Sequence, residues 1–190
     1  MKKLLFVAIA FVSLSAFTVA SKVWTNDDPH TQLGFTVTHL GINDISGAFT
    51  DVDITLEASK EDFSDAVFNL TAKTASIDTR VEARNNHLKS ADFFDVEKYP
   101  TLTFKSTGIK KAGKDTYKIE GDLTMHGVTK KVSLKATYRG SVVNPMSSKE
   151  TQGFQVTGTL KRSDFGIGEK FPEAVVSDEV RIEANAEFVQ

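Results

Sequence analysis

The side chains that could do chemistry in this chain are scattered rather than grouped. The four histidines are His30, His39, His87 and His126. They form no His-x-His pair and no Glu-x-x-His helix motif, the spacings that bring two metal ligands together. There is no cysteine and no Gly-x-Ser-x-Gly nucleophile motif. A Ser-His-Asp arrangement could still assemble in space, but nothing in the sequence favours one. The sequence therefore predicts neither catalytic residues nor a metal site.

Two polar residues fall on faces that are otherwise apolar. His39 continues the apolar side of its strand, where a hydrogen-bonded residue at the strand end is the simpler interpretation. Arg84 shares a helical face with Leu88, and its head group could reach water or pair with Asp78. The functional alternative is that the Arg84 guanidinium holds the polar end of an apolar ligand, with Asn85 or His39 as a neighbouring donor.

Arg84 lies in the one stretch whose spacing is typical of a helix. Residues on one helical face recur at i, i+3, i+7 and i+10. They are Val81, Arg84, Leu88 and Ala91. This spacing predicts a short helix over residues 79–91, with Thr79 and Glu82 in the pattern of a capping box at its start. Pro100 then returns the chain to an extended path.

The rest of the chain alternates apolar and polar residues with period two, as half-buried strands do. The apolar phases include Leu33, Phe35 and Val37; Val52, Ile54 and Leu56; Ala66, Phe68 and Leu70; Leu102 and Phe104; Tyr117, Ile119 and Leu123; Val132 and Leu134; Phe154 and Val156; and Val180, Ile182 and Phe188. Between residues 45 and 58, after a predicted turn at Asn43-Asp44, the phase flips, which indicates a bulge or sharp bend. His126-Gly127 is the predicted turn of a later hairpin. About eight strands of this kind predict an all-β, antiparallel sheet, folded as a sandwich or closed into a barrel.

The inward face of this sheet carries a line of small residues. They are Gly121, Ala136, Gly158, Ala184 and Ala186. In a barrel of about eight strands, small inward residues favour a ligand cavity, whereas bulky neighbours such as Phe35 and Phe68 would fill the same space. The sequence leaves both alternatives open. If the cavity exists, we expect a ligand to contact Phe35, Val37, His39, Phe49, Phe68, Arg84, Asn85, Leu88, Leu123 and Phe154.

Length and composition indicate one exported domain. The chain has 190 residues, and its start combines Lys2 and Lys3 with an apolar run and small residues, the pattern of a signal peptide over residues 1–20. Residues 21–190 then form the domain. Loss of Lys2 and Lys3 with the leader moves the net charge from −2 to −4, which argues against a nucleic-acid partner. No later stretch approaches the roughly 20 apolar residues of a membrane-spanning helix.

Several segments, in order along the chain, resemble the YceI-like family over essentially the whole of residues 21–190. They are HTQLGFTVTHLG at 30–41, SGAF at 46–49, SIDT at 76–79, RNNHLKSADFFD at 84–95, YPT at 99–101, GDLTMHGVT at 121–129 and RSDFG at 162–166. The resemblance implies a lipocalin-like antiparallel β-barrel, exported to the bacterial periplasm, that binds a polyisoprenoid or similar long-chain amphiphile. It does not imply an enzyme, and we expect none. Asn85 stands where the family commonly has aspartate, and Thr31 where a serine often follows the first histidine.

The leading hypothesis is thus a carrier of an isoprenoid lipid, quinone or fatty acid derivative that needs no cofactor. The alternative is a secreted hydrolase or isomerase acting on such a molecule in the same cavity. A third hypothesis is a filled barrel that acts through its surface. The sequence leaves a homodimer open.

Overall fold

The computed structural model describes residues 20–190, which form eleven β-strands, one α-helix and three 3-10 turns. The strands are β1 (Lys22–Asn26), β2 (Gln32–His39), β3 (Asn43–Phe49), β4 (Val52–Ala58), β5 (Val67–Lys73), β6 (Ile77–Asp78), β7 (Thr101–Lys111), β8 (Thr116–Met125), β9 (Val128–Val143), β10 (Glu150–Lys161) and β11 (Glu179–Val189). The helix α1 is Glu82–Lys89, and the 3-10 turns are Asp28–His30, Thr74–Ser76 and Arg162–Phe165. The predicted leader lies outside the described residues apart from Ala20. Within residues 20–190, no helix has the length and apolar character needed to cross a membrane.

Eight of the strands close into a barrel in which every neighbouring pair is antiparallel. The hydrogen-bonded order β1-β4-β5-β7-β8-β9-β10-β11 returns to β1. Strand β11 completes the barrel because it pairs with two strands in succession. Asn26 of β1 lies opposite Phe188, and Phe35 of β2 lies opposite Ile182. Strand β2 continues through β3 to the short β6, which extends the wall on that side. The predicted all-β antiparallel barrel of about eight strands is confirmed.

The flip of apolar phase between residues 45 and 58 corresponds to a break between two strands. Strand β3 pairs with β2, whereas β4 pairs with β1 and β5. The chain changes direction at Thr50 and Asp51, whose backbone amides both donate to the Ser76 hydroxyl at 3.1 Å. The predicted sharp bend is therefore present, and Ser76 stabilises it from a distant part of the sequence.

The turn between β2 and β3 lies earlier than the sequence predicts. Asn43 and Asp44 begin β3, and Asn43 pairs with His39 across the hairpin. The chain reverses instead through Leu40 and Gly41, whose φ angles of 51° and 68° are left-handed. The predicted turn at Asn43-Asp44 is wrong because the left-handed residues that reverse the chain are Leu40 and Gly41, and Asn43 and Asp44 are extended.

The helix is shorter than the predicted 79–91 and lacks the predicted capping box. Arg80 has a φ angle of 64°, a left-handed conformation that ends any regular helix before α1. The residue preceding α1 gives no side-chain cap. Thr79 is buried, and its hydroxyl donates to Asn85 Oδ1 at 2.7 Å instead of reaching the amide of Glu82. The capping prediction failed because this hydroxyl has a different partner.

The barrel has a packed end and an open end. At the packed end, called the floor, the loop between β4 and β5 inserts Phe63, which is 3% exposed and lies 5.2 Å, edge to face, from the ring of Phe154. The other end, called the mouth, is formed by α1, the β2–β3 turn and segment 162–178. The β8–β9 turn also lies there, at His126-Gly127 as predicted.

Candidate functional site

The barrel holds a cavity of about 460 Å³ that extends from the mouth down to the rings above the floor, such as that of Phe154. This volume falls within the roughly 300–1,000 Å³ typical of small-molecule pockets. Several inward-facing apolar side chains remain half-exposed because they face this space. They include Leu33, Phe35 and Val37 of β2, Val156 and Leu160 of β10, and Ile182 and Ala184 of β11. Such a wall favours a ligand with a long apolar chain, since both surfaces leave water when they meet.

The small residues contribute to the cavity unequally. Ala184 and Ala186 line it, whereas Ala136 is fully buried away from it. A Cβ at Gly158 would lie 2.5 Å from Leu134 Cδ2, so that space is already occupied. A Cβ at Gly121 would likewise lie 2.5 Å from the ring of Phe104. The interior is therefore open at the alanines of β11 and filled at the two glycines.

All ten residues predicted to contact a ligand line this cavity except Asn85. The Asn85 carboxamide is used within the chain. Its Oδ1 accepts the backbone amide of Thr79 at 2.7 Å, and its Nδ2 donates to Asp78 Oδ1 at 2.8 Å. Asn85 therefore fastens the start of α1 to β6 and does not lie beside Arg84 as a second donor into the cavity. His39 lies at the cavity edge and is exposed.

Of the four residues predicted to share one face of the helix, two face the cavity and two do not. Arg84 and Leu88 line the cavity. Val81 precedes the helix and is 46% exposed, and Ala91 lies exposed beyond its end. The low apolar content of α1 follows from its role, because it covers the mouth with only one side.

Arg84 is held at the edge of the cavity by hydrogen bonds to Thr79, five residues earlier in the chain. Its Nε donates to Thr79 Oγ1 and its Nη2 to the Thr79 carbonyl, both at 2.8 Å. Asp78, the alternative partner, instead accepts from the Arg80 amide and from Asn85 Nδ2 at 2.8 Å. Among residues 20–190 no carboxylate pairs with Arg84, and its Nη1 has no protein acceptor. The guanidinium is thus fixed in orientation, and one nitrogen keeps its donors for a ligand.

Arg162 is a second arginine of the mouth; the sequence analysis placed it in the RSDFG segment but gave it no role. It is 8% exposed, and its guanidinium donates only to backbone carbonyls. These are Ile167 (3.0 Å), Gly168 (2.6 Å), Phe171 (2.6 Å), Val176 (3.1 Å) and Ser177 (3.2 Å). Burying a charge in this way is tolerable because every bond is charge-assisted. Arg162 therefore shapes segment 162–178, which forms one side of the mouth.

Aromatic rings join that segment to the helix. Phe93 and Phe171 stack with centroids 4.9 Å apart, and the His87 ring meets both edge-on, at 5.1 and 5.4 Å. All three side chains line the cavity. Beside them, a hydrogen bond from Lys170, assisted by nearby His87, holds the pKa of Asp92 below its ordinary value. Sequence reasoning missed this cluster because Phe171 is far in the sequence from His87 of α1 and from Phe93 just after it.

The polar side chains of the cavity lining are basic or carry a hydroxyl. They are His39, Thr79, Arg84, His87, Lys161 and Arg162. Arg162 has its donors satisfied by carbonyls, so Arg84, Lys161 and the imidazoles are the groups that can meet a ligand. A positive mouth above an apolar interior favours an amphiphile whose polar end is anionic or accepts hydrogen bonds.

Within residues 20–190, one group of side chains outside the cavity has metal-ligating chemistry. Asp27, His30 and Glu187 place their ligand atoms within 4.8 Å of one another at the turn between β1 and β2. His30 Nδ1 lies 2.8 Å from Asp27 Oδ2 and 4.0 Å from Glu187 Oε2. The hydrogen bond with Asp27 and then the charge of Glu187 raise the pKa of His30. This geometry is that of a surface ion pair, and the sequence could not show it because Glu187 lies at the other end of the chain.

Comparison with known proteins gives consistent matches over the domain. The model of the YceI-like domain family matches residues 24–188. A UPF0312 protein of Staphylococcus aureus (strain MSSA476) is 34% identical over 171 residues, which cover 87% of this chain and 96% of the relative. The crystal structure of Burkholderia cenocepacia BcnA is similar with a TM-score of 0.77 and 25% identity, over 85% of this chain and 98% of that one. A polyisoprenoid binding domain from Saccharophagus degradans, implicated in plant cell wall breakdown, shares the fold with a TM-score of 0.65 and 14% identity, over 88% and 97% of the two chains.

Proposed function

Since this chain belongs to the YceI-like domain family, we propose that it is a carrier that holds one long-chain amphiphile inside its barrel. The ligand class is a polyisoprenoid, an isoprenoid quinone or a fatty acid derivative. The observation that carries the proposal is the apolar cavity of about 460 Å³ with basic groups at its mouth. The description of the Saccharophagus degradans neighbour as a polyisoprenoid binding domain supports it.

In this proposal the apolar chain lies along the barrel and the polar end stays at the mouth. The chain packs against Phe35, Leu123 and Phe154, towards the floor. The polar end accepts a hydrogen bond from Arg84 Nη1, whose guanidinium Thr79 already orients. Preorganisation of this kind lowers the cost of ordering the donor when the ligand binds.

The direct test is extraction of the purified protein. Protein prepared without detergent is extracted with organic solvent, and the extract is analysed by mass spectrometry. We expect one intact amphiphile per chain. An extract without lipid, from a protein that also fails to take up an added fluorescent fatty acid, contradicts the proposal. Conversion of an added lipid ester or isoprenoid to product would instead favour the alternative of a hydrolase or isomerase in the same cavity.

The role of Arg84 is tested by Arg84→Met, which keeps much of the apolar stem and removes the charge. Affinity for a fatty acid should fall by about 1.5 to 3 kcal/mol, the contribution of a charged hydrogen bond. Affinity for an alkane of equal length should stay the same. The matched control is Arg80→Met, because Arg80 is exposed in the same turn and does not line the cavity. An equal loss for acid and alkane means that Arg84 only supports the fold.

Export belongs to the same proposal. The leader predicted over residues 1–20 should be removed, which places the mature domain in the periplasm, where its ligands are amphiphiles of the cell envelope. Intact-mass measurement of the protein recovered from the periplasmic fraction decides this. A mass that still includes Met1 contradicts it.

A further inference from the structure

The β2–β3 turn at the mouth carries two apolar side chains that stay largely or half exposed within residues 20–190. Ile42 is 85% exposed and Leu40 is 52% exposed. Single apolar residues on a surface need no explanation. Here two of them share one turn of three residues, and that turn lies beside the opening of the cavity.

The turn is rigidly held. The Leu40 amide donates to the Val175 carbonyl at 3.0 Å, and the Ile42 amide donates to the His39 carbonyl at 3.1 Å. Leu40 also keeps a left-handed φ angle of 51°, which an L-residue other than glycine adopts only at a cost. The backbone of the turn is therefore held in place, with both side chains exposed to solvent.

The turn lies next to the cavity lining. Val37 and Ile45 lie opposite each other in the same hairpin and both line the cavity, and on that face the single polar pair His39–Asn43 separates them from the turn. On the other side, the Leu40 amide bonds to Val175, which also lines the cavity. Asp44 beside the turn pairs with Arg181 of β11, so the charges next to the turn offset each other.

We infer that Leu40 and Ile42 insert into the surface of a lipid bilayer and that the ligand passes directly between the bilayer and the cavity. The inference rests on the proposed function, because a long-chain amphiphile is poorly soluble in water and is stored in membranes. Two side chains give weak, reversible attachment, as even one myristoyl chain does. Weak attachment suits a carrier, which must leave the membrane after each transfer.

The kinetic test uses protein loaded with a fluorescent fatty acid and mixed rapidly with phosphatidylcholine vesicles that contain a quencher. Transfer during contact gives a rate that rises in proportion to vesicle concentration, whereas transfer through water gives a rate independent of it. Ile42→Ser should lower the second-order rate by about tenfold, the effect of losing one buried aliphatic side chain. Leu40→Gly should also lower it, and glycine suits the left-handed φ angle, so this variant should keep its fold.

The matched control is Met146→Ser. Met146 is 95% exposed in the turn between β9 and β10, at the floor end of the barrel. The substitution therefore removes exposed apolar surface far from the mouth. Met146→Ser should leave the transfer rate unchanged. In the wild-type protein the transfer rate should not depend on salt, because the proposed contact is apolar. Rates independent of vesicle concentration, or equal effects of Ile42→Ser and Met146→Ser, overturn the inference.

A second measurement separates this inference from the proposed function. Ligand-free protein carrying a dye at its N-terminus is titrated with the same vesicles without quencher, and the bound fraction is measured at equilibrium by fluorescence anisotropy, which detects weak binding. The wild-type protein should bind, and Ile42→Ser should bind about tenfold more weakly. If no fatty acid is taken up but the wild type still binds vesicles, the proposed function fails and the docking surface stands. If fatty acid is taken up but no protein binds vesicles, the docking inference fails alone.

Discussion

Replacing Ala184 with leucine should leave the barrel stable and shorten its ligand space. Ala184 lines the cavity, between Leu33 on β2 and Val156 on β10. The substitution adds three carbon atoms to a wall that faces open volume. They displace about three methylene groups of a ligand that fills the cavity, at about 0.8 kcal/mol each. Affinity for such a ligand should therefore fall by about 2.4 kcal/mol, or roughly fiftyfold, whereas a chain three or more carbons shorter should bind as before.

Gly158→Leu is the matched control on the neighbouring strand. Its first added atom would lie 2.5 Å from Leu134 Cδ2 and 3.6 Å from Ile182 Cγ1, where no space remains. We expect overpacking to cost about 1 to 3 kcal/mol in the free energy of unfolding. The chain-length preference for ligands should not change.

Two assays separate the variants. Urea unfolding gives the free energy of unfolding, provided that the slope against urea is the same in each variant. Displacement of a fluorescent fatty acid by saturated acids of increasing length gives the chain-length profile. If Ala184→Leu destabilises the barrel as much as Gly158→Leu does, the space at Ala184 is filled and our description of the cavity is wrong. If the length profile of Ala184→Leu is unchanged, the chain binds elsewhere.

Three further outcomes follow from particular contacts. Arg162→Met should lower the free energy of unfolding by about 3 kcal/mol or more, measured in urea, because several buried carbonyls lose their hydrogen-bond donor. Phe63→Ala should lower it by about 3 to 5 kcal/mol by calorimetry, since it empties the floor. The folded-state pKa of Asp92 is depressed, so its contribution is complete above the unfolded pKa of about 3.9 and is lost as pH falls through the lower folded value. The protection factors of amides around Asp92, which are corrected for the pH dependence of intrinsic exchange, should therefore fall below about pH 4. Lys170→Met should weaken this dependence, because Lys170 is the main cause of the lowered pKa.

The strands could be predicted because their signal is local. A pleated strand that packs one face against a core must alternate, and β2 and β8 show that alternation without help from distant residues. The start of α1 could not be predicted in the same way. Thr79 and Glu82 have the spacing of a capping box, but the Thr79 hydroxyl bonds to Asn85 and Arg84. A spacing rule identifies a possible hydrogen-bond partner, but it does not show which of several available partners the side chain binds in the folded protein.

The shape of the cavity depends on contacts across strands. Gly158 and Ala184 are both small and both inward-facing, so the sequence treats them alike. They differ because Leu134 of β9 covers Gly158, whereas Ala184 faces the cavity. The hydrogen bonds of Arg162 could not be predicted for a related reason: its acceptors are backbone carbonyls, which every residue possesses. No pattern of side-chain types indicates which carbonyls will surround an arginine.

The division of the barrel into floor and mouth explains how a small domain tolerates an unfilled interior. Apolar volume left empty in a protein costs on the order of 24 cal/mol per Å³, so about 460 Å³ of fully enclosed, dry space would cost about 11 kcal/mol. That is as large as the whole free energy of unfolding of a typical domain. The floor must therefore be well packed, as the rings around Phe63 are, and the mouth must be held by polar contacts that need no core, as those of Arg162 are. An amphiphile that fills the cavity restores the missing contacts, so the arrangement that makes the barrel costly when empty is the one that gives it affinity.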